Sequence, residues 1–106
     1  MIIKLKNGVK IGTHTFKIKL DPHIHGDDKD YGQINYRTET IKIWKDAPLS
    51  IKNEALHHEI IHLSQHIYRV DISDQDIDRV AETFSEFLFN NLGIEYDWSD
   101  IPDIGT

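Results

Sequence analysis

Apolar and polar positions alternate along the first part of the chain and then change to a step of three and four. Ile2 and Ile3 through Val9 alternate loosely, and Thr13 to Leu20 sets Phe16, Ile18 and Leu20 against polar neighbours. With Gly8 and Gly12 as breaks, this predicts two short strands. Asp21 to Asp30 holds Pro22, Gly26, four Asp and two His, and predicts a loop. Tyr31 to Tyr36 and Thr40 to Trp44 alternate again, with Arg37-Thr38-Glu39 between them as a turn, so they should pair as a hairpin whose inner face holds Ile34, Tyr36, Ile41 and Ile43.

Beyond Lys45-Asp46-Ala47-Pro48 the apolar residues Ile51, Ala55, Leu56, Ile60, Leu63 and Ile67 recur at helical spacing, which predicts an amphipathic helix from Ser50 to Arg69. Ser73, with Asp76 three residues on, is a capping signal for a second helix over 74–92. Its expected buried stripe is Ile77, Val80, Ala81, Phe84 and Leu88, and Gly93 is its expected stop. The tail, 94–106, is acidic, with Tyr96, Trp98 and Pro102, and gives no clear pattern. The expectation is therefore one α+β domain over 1–106, a small antiparallel-rich sheet of three to four strands over 1–45 followed by two helices.

Composition narrows the function. At 106 residues, 39% hydrophobic and 28% charged, the chain is of ordinary size and make-up for one globular domain. No apolar run approaches the roughly 18 residues of a membrane span, and the first residues lack a signal-peptide pattern, so a cytoplasmic protein without membrane contact is expected. Eighteen Asp and Glu against twelve Lys and Arg give a formal charge of −6, the wrong sign for a phosphate-neutralising protein, and no nucleic-acid partner is expected. With no Cys, a metal must be held by His and carboxylate, and the chain has seven His.

The predicted first helix contains His58-Glu59-Ile60-Ile61-His62, an HExxH. Residues four apart on a helix project from one face, so two imidazoles can converge on one ion with Glu59 beside its open position. A catalytic zinc of this kind takes a third, carboxylate ligand. Asp78 and Glu82 both qualify, being four apart on the second helix; one would ligate and the other would hydrogen-bond a ligating imidazole. His66 continues the line of His58 and His62, but another turn, ~5.4 Å, carries it too far for the same ion, which leaves it as a cleft-wall residue. His57 points to a different face and should be a surface residue. His23 and His25 could form a secondary metal site, though a solvated loop is the simpler account. Zn2+ so held would supply an activated water, with Glu59 taking its proton and passing it to a leaving amine. His66, Tyr68 and Tyr96 are the candidates for a further oxyanion donor.

The segment 32–91 resembles the small HExxH metallopeptidase-like proteins of phages and prophages, related to the ImmA/IrrE group of gluzincin-type endopeptidases. The matching pieces are Gly32-Gln33-Ile34-Asn35-Tyr36, Thr40-Ile41-Lys42-Ile43, Glu54-Ala55-Leu56-His57-His58-Glu59-Ile60-Ile61-His62, Ile77-Asp78-Arg79-Val80-Ala81 and Asn90-Asn91. The resemblance implies a minimal zincin-like core and zinc-dependent cleavage of a protein or peptide substrate, with Asp78, three before Ala81, as third ligand and Glu82 in the supporting place. Where the family carries Glu, this chain has the shorter Asp78, so Glu82 stays open as the ligand. The resemblance also implies that the hairpin from Tyr31 to Trp44 binds an extended peptide by strand addition. Two other readings compete: a zinc-binding but non-catalytic module that sequesters a host factor, and an acidic decoy of nucleic acid that binds a basic protein.

Overall fold

The computed structural model describes residues 1–24 and 31–104, arranged as α+β. Strands β1 (Ile2–Lys4), β2 (Val9–Ile11), β3 (His14–Asp21), β4 (Gly32–Asn35) and β5 (Thr40–Trp44) precede helices α1 (Leu49–Tyr68) and α2 (Asp74–Ser85). A π-helical turn, Glu86–Asn91, and a last strand, β6 (Glu95–Asp97), follow.

Four strands form a mixed sheet in the order β2-β3-β5-β4. β2 with β3 and β4 with β5 are antiparallel, and β3 with β5 is parallel. The expected hairpin is present, with Gly32 opposite Ile43 and Asn35 opposite Thr40, and Glu39 turns the chain at a φ of 52°. Period-2 alternation places Phe16, Ile18, Ile41 and Ile43 on the inner face, where they pack with Leu56 and Leu63 of α1. Tyr36, expected on that face, is exposed.

The first segment divides more finely than its loose alternation predicts. β1 leaves the main sheet and pairs in parallel with β6, Ile3 opposite Tyr96. The tail that lacked a pattern is thus part of the fold. Ile101 joins the core, Trp98 Nε1 donates to Asn53 Oδ1 of α1 at 2.8 Å, and Leu20 N–H donates to the Pro102 carbonyl at 2.9 Å. The tail therefore extends the edge of β3 where β2 has ended.

Ser73 caps α2 as its sequence predicts, accepting from the Asp76 N–H at 3.2 Å. The α2 stripe is narrower than expected. Ile77 and Ala81 are buried against Ile61 of α1, but Val80 and Phe84 are 39% and 51% exposed, because no further element covers their side of the helix among the described residues. No helix of the described residues is long and apolar enough to cross a membrane.

Candidate functional site

A cleft of about 680 Å³ opens between α1, the start of α2 and edge strand β4. Tyr31 and Gly32 line it from the strand side, Ile51, Glu54, Ala55, His58, Glu59 and His62 from α1, and Asp74 and Asp78 from α2. The residues of HExxH thus meet the carboxylates of the second helix, whereas Glu82 and His66 are outside this lining. Four carboxylates and no Lys or Arg stand among the described lining residues, which favours a cationic occupant.

His58 and His62, one turn apart on α1, bring their Nε2 atoms within 3.0 Å of each other. The other nitrogen of each ring has a partner that can only accept. Asp78 Oδ1 is 2.7 Å from His58 Nδ1, and a carboxylate requires that Nδ1 carry the hydrogen. Gln65 Oε1 is 2.9 Å from His62 Nδ1. The amide of Gln65 cannot be reversed, because its other end lies 2.6 Å from the Ile72 carbonyl and must be the NH2 that donates there. Both rings are therefore Nδ1–H tautomers when neutral, and two Nε2 lone pairs face each other. Such lone pairs repel unless a proton or a metal cation lies between them. Tetrahedral zinc, with Zn–N of about 2.0–2.1 Å, sets two ligand nitrogens ~3.3 Å apart, close to the spacing here. These two nitrogens thus fit zinc in kind and in spacing.

A third ligand is not in place. Among the described residues no group of three or more His, Asp or Glu side chains converges closely enough to hold a metal ion. Asp78 sits on the Nδ1 side of His58, the supporting place that the resemblance implies for Glu82. Glu82 follows one turn later on α2, exposed. Sequence reasoning overlooked Glu54, one turn before His58, whose carboxyl is pushed above its ordinary range by burial and then by the charges of Glu82 and Asp78, with His58 opposing. Its i−4 spacing from His58 was the available signal. Gln65, at i+3 from His62, was legible in the same way.

Glu59 is 7% exposed, held between α1 and β4. Gly32 makes the room: a Cβ there would stand 3.0 Å from Glu59 Cγ and 3.1 Å from Ile43 Cδ1. Tyr36 lies within reach of this charge, its phenol raised by burial and then by Glu59. His66 stacks on Tyr36, ring centroids 3.9 Å apart.

His57 is a correction: it is 5% exposed, not a surface residue. Its Nδ1 lies 2.8 Å from Ser85 Oγ, which itself donates to the Ala81 carbonyl, so Nδ1–H donates and Nε2 accepts from Tyr96 OH at 2.7 Å. Phe89 stacks on the ring, and burial lowers its pKa. Tyr96 is thereby committed to His57, and Tyr68 is 60% exposed; neither lines the cleft. His23 is exposed, its backbone N–H held by Asp21 Oδ1 at 2.8 Å. The pairing of His23 with His25 falls on residue 25, outside the described residues.

Compared with family models, with curated proteins and with solved structures, the chain has no match. The resemblance to the HExxH peptidases accordingly stands on the residues of this sequence, and the functional reading on the geometry of the cleft.

Proposed function

We propose that the protein is a zinc-dependent metallopeptidase of narrow specificity, of the phage or mobile-element type, working in the cytoplasm. The observation that carries this reading is the pair of Nε2 lone pairs of His58 and His62, turned towards one another beside the buried Glu59 in a carboxylate-lined cleft. On this reading His58 and His62 hold zinc through Nε2, Asp78 orients His58, and Glu82 supplies the third ligand, an exchange of the roles implied for the two carboxylates. When bound, the metal supplies Lewis acidity towards a water and a carbonyl oxygen. Glu59, fixed by its packing against Gly32, accepts a proton from the attacking water and returns it to the leaving amine.

The edge strand supports a peptide as the substrate. Trp44 N–H donates to the Tyr31 carbonyl at 2.9 Å, which makes 31 and 44 a hydrogen-bonded pair. Alternation along the ladder then turns the N–H and C=O of Gly32 and Ile34 to the open side of β4, where the described residues include no further strand. An extended peptide adding there would run along the mouth of the cleft.

The test is zinc binding by the chelator-stripped, remetallated protein. One zinc per chain is expected, with affinity lost in Glu82→Ala and reduced ~10–100-fold in Asp78→Ala, the usual effect of removing a group that orients a ligating imidazole. No bound zinc overturns the proposal. A non-catalytic zinc-binding module is the second reading, favoured by an apolar groove of about 320 Å³ on α2 and the π-helical turn, lined by Arg79, Val80, Thr83, Phe84 and Phe87. Glu59→Gln separates the two: zinc is retained in both cases, and only the peptidase loses its action.

A further inference from the structure

Gln65 lies outside HExxH and away from the cleft lining, yet both ends of its side chain are committed. Oε1 accepts from His62 Nδ1–H at 2.9 Å, and Nε2 donates to the Ile72 carbonyl at 2.6 Å. Ile72 belongs to the connector between α1 and α2 and packs against the buried cluster of Ile61, Ile77 and Ala81. The next residue, Ser73, caps α2, and α2 carries Asp78 to His58 Nδ1. We propose that Gln65 is the positioning residue of the site: it sets the tautomer and direction of His62 and ties that ring to the connector, so that Nε2 faces His58. This rests on the metal-site reading for its consequence, but the hydrogen bonding it describes is a property of the metal-free chain.

A free imidazole exchanges its hydrogen between two nitrogens, and only one arrangement leaves Nε2 available as a ligand. His58 is held in that arrangement by its Nδ1–H···Oδ1 hydrogen bond to Asp78 of the second helix. His62 has no carboxylate at Nδ1, and its arrangement depends on an amide that would be ambiguous if it were free to flip. The Ile72 carbonyl removes the ambiguity. The two rings are thus held from opposite sides by one continuous path: His58, Asp78, helix α2, the connector at Ile72, Gln65 and His62. A side chain on α1 thereby makes the placement of both imidazoles depend on how α2 docks, and α2 docks through little more than Ile77 and Ala81.

The experiment compares wild type with Gln65→Leu and Gln65→Glu. Leu keeps bulk and removes both hydrogen bonds; Glu still accepts from His62 Nδ1–H but places an oxygen against the Ile72 carbonyl. The first readout is the ¹⁵N resonances of the His62 ring in the metal-free protein, which report the tautomer directly; the second is Zn2+ affinity by competition with a chromophoric chelator. Wild type should show Nδ1–H at His62, Gln65→Leu should lose that preference and bind zinc ~10–100-fold more weakly, and Gln65→Glu should restore the tautomer and most of the affinity. Circular dichroism on each variant checks that the helices persist. An unchanged His62 tautomer in a folded Gln65→Leu overturns the proposal, whatever its zinc affinity. If wild type binds no zinc but Gln65→Leu still loses the tautomer, the role of Gln65 stands and the metal reading alone fails.

Discussion

The two helices pack against each other across a short connector, yet they meet the rest of the protein in different ways. α1 is enclosed on several sides: Leu56 and Leu63 enter the sheet core, Ile61 meets α2, and His57 faces the end of α2, the π-helical turn and β6. It also buries Asn53, His57 and Glu59, polar residues that an isolated amphipathic helix would leave in water. α2 has the cleaner alternation of polar and apolar sides, but it buries only Ile77 and Ala81, and Val80 and Phe84 stay exposed. Periodicity thus marks which residues could be buried, whereas the number of neighbouring elements decides how many are. A helix with neighbours on several sides can carry a buried polar site; one with a single neighbour cannot.

The sharpest way to break the contrast is at the polar residues of α1. On the proposed peptidase reading, Glu59→Gln should lower peptide hydrolysis by ~10²–10⁴-fold, the usual worth of a positioned general base, while zinc content is unchanged. Glu86→Gln, an exposed change in the π-helical turn, should leave both at wild-type levels. Next in size is the core contact of α1 with the sheet. Leu56→Ala should cost about 2–5 kcal/mol in urea unfolding, from lost burial and the cavity left behind. Gly32→Ala presses on Glu59 Cγ and Ile43 Cδ1, side-chain neighbours that must shift, and should cost about 1–3 kcal/mol while lowering hydrolysis more than it lowers zinc affinity.

Burial holds the His57 imidazole below its ordinary range, so the unfolded chain binds a proton that the folded one resists. The contribution of neutral His57 is complete above about pH 6.5, where the unfolded ring is also neutral, and is lost as the pH falls below that value until the folded ring protonates. The melting temperature should therefore drop more on acidification in wild type than in His57→Gln. The smallest effect is expected on α2: Phe84→Ser should cost only about 1 kcal/mol, because half of that side chain already faces water. A large loss there would mean that the groove is covered in solution, and would close much of the gap between the helices.

Much of the framework was legible in order along the chain. Alternation placed β3 and the β4–β5 hairpin, three- and four-residue spacing placed α1, and Ser73 marked the start of α2. The site was legible where its members share one helix, since His58, Glu59 and His62 are brought together by local geometry alone. The same rule reaches Glu54 and Gln65, whose spacings of four and three from a motif histidine were there to be read.

The rest depended on contacts between segments far apart in sequence. Nothing near His57 announces that Ser85, Phe89 and Tyr96 close over it, because those residues come from the end of α2, the turn and a strand drawn in by β1. Nor does the tail announce its place: β6 is only three residues long and acquires a ladder because β1 lies beside it. Amino-acid order is enough for the helical face that carries two imidazoles and a carboxylate, because a helix sets neighbours by its own hydrogen bonds. Which carboxylate of α2 meets which imidazole nitrogen is settled by how α2 docks, through burial of Ile77 and Ala81 and the hold of Gln65 on the connector, and burial carries no sequence spacing of its own.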